Sequence, residues 1–146
     1  MNTWKNFINN EWVAAADTRA VVDPATGKVL ARVAESNRAD VERAVSAARE
    51  AFDAGPWRQS TAQQRGRVLF KMAELVRAHA AELAELETRN CGKPIVESEF
   101  DMADAATCLE YYGGLATKIH GETLLVPDNA INLTLKEPVG VAALIV

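Results

Sequence analysis

Two aspartates on a predicted helix have the clearest chemical potential in this sequence. Asp101 and Asp104 are three positions apart, so their carboxylates lie on one helix face, and Glu97 extends that acidic stripe by a turn. The same helix carries three aromatic residues: Phe100, Tyr111 and Tyr112. Carboxylates beside aromatic rings suit a cationic ammonium ligand, through charge pairing and cation–π attraction. The alternative from the pattern alone is a solvated helix face, acidic because the helix N-terminus favours negative charge.

The cysteines and histidines form no recognisable catalytic or metal-binding motif. Cys91 and Cys108 are too few for a disulfide framework and too far apart for a CxxC pair. Neither has a histidine nearby in sequence that could activate it as a nucleophile. His79 and His120 have no evident metal partners. The residues alone therefore predict no catalytic centre, and unpaired cysteines indicate a reduced, cytoplasmic setting.

The composition is that of a soluble globular protein. The 146 residues are 49% hydrophobic and 25% charged, with a formal net charge of -4. That charge argues against nucleic acid or an anionic membrane as the main partner, because phosphate groups are held by clustered cations. Every apolar run falls far short of the ~20 residues of a membrane helix, and the polar start predicts no signal peptide.

Short strands are predicted in the first third of the chain. Residues 6–8 and 11–13 flank Asn9 and Asn10, which tolerate the left-handed backbone of a two-residue hairpin turn. Residues 21–22 and 29–33 flank a second turn, which is marked by proline and glycine.

Helices are predicted next. Asn37 is expected to cap the first, with Asp40 three residues later, and the glycine–proline pair at 55–56 ends it. Ser60 and Gln63 form a capping-box pattern that opens a long helical stretch.

That stretch has a predicted break near His79 and a stop at Gly92. Pro94 then opens the helix that carries the two aspartates, and this helix is predicted to run to residues 120–121.

Strand patterns return at the end of the chain. Residues 124–126 and 131–136 predict a hairpin, and residues 139–146 are continuously apolar, as in a strand covered on both faces of a parallel sheet. Because a carboxylate at the end of a core strand is costly to bury, we expect a larger α/β domain to continue beyond Val146. The alternative is an edge strand of a small α+β domain.

Several stretches, taken together and in order, resemble the aldehyde dehydrogenase superfamily. They are FINNEWV at 7–13, DPATGKV at 23–29, the helix at 44–52, LET at 86–88 with GKP at 92–94, YYGGLA at 111–116 and EPVGV at 137–141. The resemblance implies an α/β fold in which residues 1–146 are the N-terminal portion of the NAD(P)-binding domain. It also implies that residues 123–137 form a hairpin of the oligomerisation sheet, and that the full-length protein is a homo-oligomer, a dimer or a tetramer.

The resemblance further implies an enzyme that oxidises aldehydes to carboxylic acids with NAD or NADP. In that family a cysteine thiolate attacks the aldehyde, hydride passes to the nicotinamide, and water releases the acid. The nucleophilic cysteine and the general-base glutamate lie beyond the matched region, so the 146-residue chain is expected to be inactive alone. The competing hypothesis is a non-catalytic module, which a stop codon after Val146 would favour and a continuing Pro-Trp-Asn reading frame would oppose.

Binding roles also follow from the resemblance. Ile145 and Val146 match a strand end that contacts the dinucleotide. A monovalent-cation site matches the carbonyls of Val21 and Val22 together with Asn90, where many members have a charged aspartate.

The predicted substrate site is the acidic helix face. Asp101 and Asp104, with CGKP at 91–94 and EYY at 110–112, are most similar to the aminoaldehyde and betaine-aldehyde branch. In that branch such acids attract the ammonium end of the substrate.

Overall fold

The computed structural model describes residues 2–127 and 129–145. Its N-terminal third contains five short strands: β1 (Thr3–Trp4), β2 (Asn6–Ile8), β3 (Glu11–Val13), β4 (Asp17–Val22) and β5 (Val29–Glu35). Strand β5 is central in a three-stranded sheet, with β1 parallel to it on one side and β4 antiparallel on the other. Strands β2 and β3 form a separate antiparallel hairpin.

The first hairpin is confirmed at the predicted residues. Asn9 and Asn10 have φ angles of 51° and 63°, the left-handed conformation that asparagine tolerates better than most residues. Phe7 lies opposite Trp12 in the ladder, with ring centroids 5.0 Å apart, so a cross-strand aromatic pair supports the turn.

The second strand pair is confirmed, but β4 begins earlier than its apolar residues indicate. Arg32 of β5 donates from Nε to Thr18 Oγ1 at 2.9 Å and from Nη2 to the Thr18 carbonyl at 2.7 Å. These bonds hold the polar start of β4 in the sheet. At the turn, the Asp23 carboxylate accepts from the backbone N–H groups of Ala25 and Thr26.

Helices form the middle of the chain. They are α1 (Arg38–Ala54), α2 (Pro56–Gln59), α3 (Ala62–Ala78), α4 (Ala80–Cys91) and α5 (Ile95–Leu115), followed by a 3₁₀ turn at Ala116–Lys118. Asn37 and Asp40 form the predicted capping box of α1.

The second capping box lies one residue later than predicted. Gln64 donates its backbone N–H to Thr61 Oγ1 at 3.2 Å, and Thr61 donates its own to Gln64 Oε1 at 2.7 Å. Ser60 is not the cap because its hydroxyl donates to the Trp57 carbonyl at the end of α2.

The helix ends follow the predicted signals in three places and depart from them in one. Helix α1 ends at Ala54, before the predicted stop at 55–56. The break falls at His79, and Gly92 ends α4 with φ 82°, a left-handed cap. Helix α5 ends at Leu115, short of the predicted residues 120–121. Gly114 weakens the helix there because glycine has a low helix propensity. Lys118 Nζ donates to the Gly114 carbonyl at 2.6 Å, which gives this carbonyl at the helix end a hydrogen-bond partner.

Small residues bring α3 and α5 into close contact. Gly66 and Gly113 are buried, and a Cβ built at Gly66 would lie 2.7 Å from the Gly113 carbonyl oxygen. Ala73 of α3 and Ala106 of α5 are fully buried as well. The two long helices therefore pack backbone to backbone, which fixes the position of α5 and its aspartates.

The C-terminal part has less regular secondary structure than the sequence indicates. Strands β6 (Thr123–Leu124) and β7 (Asn132–Leu133) form the predicted hairpin in shortened form. The predicted core strand is wrong over its described residues, 139–145, which form no strand. A strand exists by pairing, and this segment lies beside no strand of the described chain, so Val139 and Ile145 are almost wholly exposed. Among the described residues, no helix has both the length and the apolarity to cross a membrane.

Candidate functional site

The exposed face of α5 is the candidate binding surface. Asp104 is exposed, and the Asp101 side chain has 46% of its surface accessible. Phe100 is 68% exposed beside Asp101. Tyr111 follows Asp104 by two helical turns, about 10 Å along the axis, so the two lie on the same side of the helix. The structure thus places the predicted acids and aromatic residues together on one accessible helix.

Asp101 is not a free carboxylate, because Lys93 binds it. The Lys93 ammonium group donates to Asp101 Oδ2 and lies 3.0 Å from Glu87 Oε1. The hydrogen bond to Asp101, and then the one to Glu87, raise the pKa of Lys93 above its ordinary value, so the amine stays protonated. Within the described residues no cation pairs with Asp104.

Lys93 was missed by sequence reasoning. It is eight residues before Asp101, too far for a helical i,i+3 or i,i+4 pair. The contact arises because the chain turns at Gly92 and Pro94 between α4 and α5. The only sequence signal is a lysine placed in that turn, and it does not specify the partner.

Two of the three predicted cation ligands line one cavity. Val21 of β4 and Asn90 of α4 border a space of about 770 Å³ between the N-terminal sheet and the helices. Trp4, Glu87 and Met102 also line it. Carbonyl and amide oxygens are the donors that hard cations prefer, and Val21 and Asn90 carry such groups. The cationic side chain of Arg89 also lines the cavity.

Val22, the residue after Val21, does not line this cavity. It follows the register shift at the end of β4 and is 46% exposed, outside the lining of the cavity. The described residues also contain no cluster of three acidic, histidine or cysteine side chains that could hold a metal. The three predicted ligands would therefore hold a cation through backbone and amide oxygens.

The predicted cofactor residues are at the end of the chain. Ile145 is 94% exposed in the irregular C-terminal segment, and Val146 lies outside the described residues.

Neither cysteine is placed for catalysis by its surroundings. Cys91 and Cys108 are both exposed and free. Cys91 Sγ lies 3.8 Å from Glu87 Oε1, so its hydrogen-bond partner is a carboxylate rather than a histidine.

The family model and the similar proteins all indicate the same family. Residues 12–146 match the model of the aldehyde dehydrogenase family. Mitochondrial aldehyde dehydrogenase from Rattus norvegicus is 44% identical over 144 residues, which cover 96% of this chain and 28% of that enzyme. Betaine aldehyde dehydrogenase from Bacillus subtilis is 40% identical over 139 residues, or 92% of this chain and 28% of the relative.

Solved structures agree. An aldehyde dehydrogenase described as putative, from Burkholderia cenocepacia, superposes with a TM-score of 0.86 and 44% identity, over 92% of this chain and 28% of that one. A point mutant of betaine aldehyde dehydrogenase from Staphylococcus aureus, in complex with NAD⁺, gives a TM-score of 0.81 and 38% identity, over 86% of this chain and 26% of that one. The chain spans less than a third of the length of each of these relatives. It belongs to the aldehyde dehydrogenase family.

Proposed function

We propose that the protein containing this chain oxidises aldehydes to carboxylic acids with a nicotinamide cofactor. The observation that carries the proposal is the family match over residues 12–146, together with 44% identity to a named aldehyde dehydrogenase. In such a reaction the bound cofactor accepts a hydride from the substrate. This chain contributes binding surfaces, and its own cysteines take no part in the chemistry.

The chain forms the N-terminal portion of the cofactor-binding domain, residues 1–146. Ile145 and Val146 contact the dinucleotide, as the resemblance to the aldehyde dehydrogenase family implies. NAD is the cofactor we favour, because the similar enzyme from Staphylococcus aureus is described with NAD⁺. NADP is the alternative that the assay below distinguishes.

The substrate class is an aldehyde with an ammonium group, an aminoaldehyde or a betaine aldehyde. Support comes from the exposed Asp104, the partly exposed Asp101 and the accessible ring of Phe100, which together suit a cation. The similarity to a betaine aldehyde dehydrogenase supports the same substrate class. The comparably high identity to a mitochondrial aldehyde dehydrogenase does not distinguish the substrate, so the proposal rests on the helix face.

A monovalent cation binds near the N-terminal sheet, held by the carbonyls of Val21 and Val22 and the amide of Asn90. The shared cavity of Val21 and Asn90 supports this assignment. Because asparagine is neutral, the three proposed ligands hold the ion through dipoles alone, and we expect its affinity to be weak.

The protein assembles as a homo-oligomer through the hairpin at 123–137, and it is located in the cytoplasm. Exposed apolar side chains on that hairpin support the assembly: Leu125, Ile131, Leu133 and Leu135 are all more than 60% exposed. Two free cysteines suit a reducing compartment.

The test is to express the complete reading frame and assay reduction of NAD⁺ and NADP⁺ with a panel of aldehydes. We expect NADH formation, with the highest kcat/KM for betaine aldehyde or an aminoaldehyde. A frame that stops directly after Val146, or a complete protein inactive with every aldehyde, would contradict the proposal and favour a non-catalytic module.

A further inference from the structure

Lys93 occupies a constrained position in the turn between α4 and α5, the helix that carries the acidic face. Gly92 before it has φ 82°, and a Cβ there would lie 2.7 Å from the Pro24 ring, so only glycine fits the turn. Pro94 after it is the N-cap of α5. With its backbone fixed on both sides, Lys93 has a side chain only 28% exposed.

The ammonium group of Lys93 is shared by one acid from each helix. It pairs with Glu87 of α4 and with Asp101 of α5. The triad of Glu87, Lys93 and Asp101 thus carries one net negative charge instead of two. Asp104, one helical turn beyond Asp101, has no such counter-ion among the described residues.

We propose that Lys93 is a specificity-determining positioning residue, an internal cation that occupies Asp101 and leaves Asp104 as the main attraction for an ammonium ligand. This inference rests on the proposed function, because it concerns the substrate preference of the same helix face. It predicts that the two aspartates are unequal, although their spacing makes them look equivalent. It also predicts that removing Lys93 increases the attraction for cations.

Lys93→Met in the full-length enzyme is the direct test. Betaine aldehyde and 3,3-dimethylbutanal have the same shape, and only the first is charged, so the ratio of their kcat/KM values isolates the charge effect. Since the ion pair is partly exposed, we expect Lys93→Met to raise this ratio about two- to fivefold. Lys93→Arg keeps the charge and should leave the ratio unchanged.

Lys71→Met is the matched control, because Lys71 pairs with Glu74 on the exposed surface of α3. This variant also removes one positive charge, but at a site outside the acidic face, so it should not alter the ratio of the kcat/KM values. An effect of Lys93→Met on both substrates alike, or a ratio that stays the same or falls, would show a merely structural role and overturn the inference.

A second comparison uses Asp101→Asn and Asp104→Asn in the otherwise unchanged protein, so it does not need Lys93→Met to fold. Asp104→Asn should lower the ratio more than Asp101→Asn does. Equal effects, or a larger effect at Asp101, would contradict the inference.

Binding of choline provides a measurement that needs no turnover. Choline has the trimethylammonium group and no aldehyde, and its dissociation constant can be measured by calorimetry. We expect tighter choline binding in Lys93→Met than in the unchanged protein or Lys71→Met. If no aldehyde is oxidised, the proposed function fails, while unchanged choline affinity in Lys93→Met would separately overturn the role of Lys93.

Discussion

Arg77 of α3 and Glu110 of α5 form a two-pronged ion pair. Arg77 Nη1 lies 2.5 Å from Glu110 Oε1, and Nη2 lies 2.8 Å from Oε2. This planar geometry is available to arginine and not to lysine. The pair joins the two helices that also meet at Gly66 and Gly113, so it helps to fix the orientation of the acidic face.

The Arg77–Glu110 pair should make stability depend on pH. The hydrogen bond from Arg77 lowers the pKa of Glu110 in the folded protein. A lowered folded pKa stabilises the protein above the ordinary glutamate pKa, and that stabilisation is lost as pH falls through the folded pKa. We expect Glu110→Gln to lower the free energy of unfolding at pH 7, with a difference that shrinks below about pH 4.

Urea unfolding at pH 7 and pH 3 measures this difference. Glu74→Gln is the control, because Glu74 makes a single contact with Lys71 and both side chains are about two-thirds exposed. A Glu110→Gln penalty that is the same at both pH values would contradict the electrostatic explanation.

The contact between α3 and α5 should not tolerate a methyl group at Gly66. Gly66→Ala would place Cβ 2.7 Å from a backbone carbonyl of α5, which must move. We expect a loss of about 1–3 kcal/mol in the free energy of unfolding, as for other overpacked sites.

Gly114→Ala is the matched control, because a Cβ at Gly114 meets nothing within 4 Å. This variant should be neutral or gain up to about 1 kcal/mol from its better helix propensity. Equal effects of the two variants in chemical unfolding would show that the helices do not pack at Gly66.

The hairpin of β6 and β7 should make the 146-residue chain self-associate. Leu125 and Ile131 are 104% and 82% exposed, and the short strands have unpaired edges. We expect sedimentation velocity to show species that grow with concentration. Ile131→Lys should reduce them, and Leu75→Lys on α3 serves as a control at another exposed apolar residue. A monomer at all concentrations would contradict this role of the hairpin.

The 146-residue chain alone should not oxidise aldehydes. Cys91 and Cys108 are surface residues, and the partner of Cys91 is the Glu87 carboxylate. Binding surfaces cannot replace a missing nucleophile and base. The purified chain with NAD⁺ and betaine aldehyde should form no NADH. Activity that is lost in Cys91→Ser or Cys108→Ser would show that one of these residues is a nucleophile.

Local signals in the sequence predicted the individual helices, strands and turns well. They predicted the contacts between these elements less well. The asparagine turn at 9–10, the Asn37 cap and the Gly92 stop depend on nearby residues, and each is confirmed. The strand at 139–146 needs neighbours that the pattern cannot supply, so its prediction is wrong over the described residues.

The candidate site shows the same division. Helical spacing correctly placed Asp101 and Asp104 on one helix. The pairing of Asp101 with Lys93 depends on the turn between α4 and α5, so no periodic pattern could reveal it.

Replacing both Asp101 and Asp104 by asparagine should selectively weaken the binding of cationic substrates to the full-length enzyme. Asp101 and Asp104 would contact the remote ammonium end of an aldehyde, and at an exposed face each contributes at most about 1 kcal/mol, less at high salt. Because that contact is the same in the ground and transition states, KM should rise while kcat stays unchanged. Asp53→Asn combined with Glu74→Gln is a matched control, since the pair removes two exposed carboxylates on other helices. Steady-state kinetics with betaine aldehyde and 3,3-dimethylbutanal decide the matter: an unchanged preference in the double variant would reduce these aspartates to a solvated helix face.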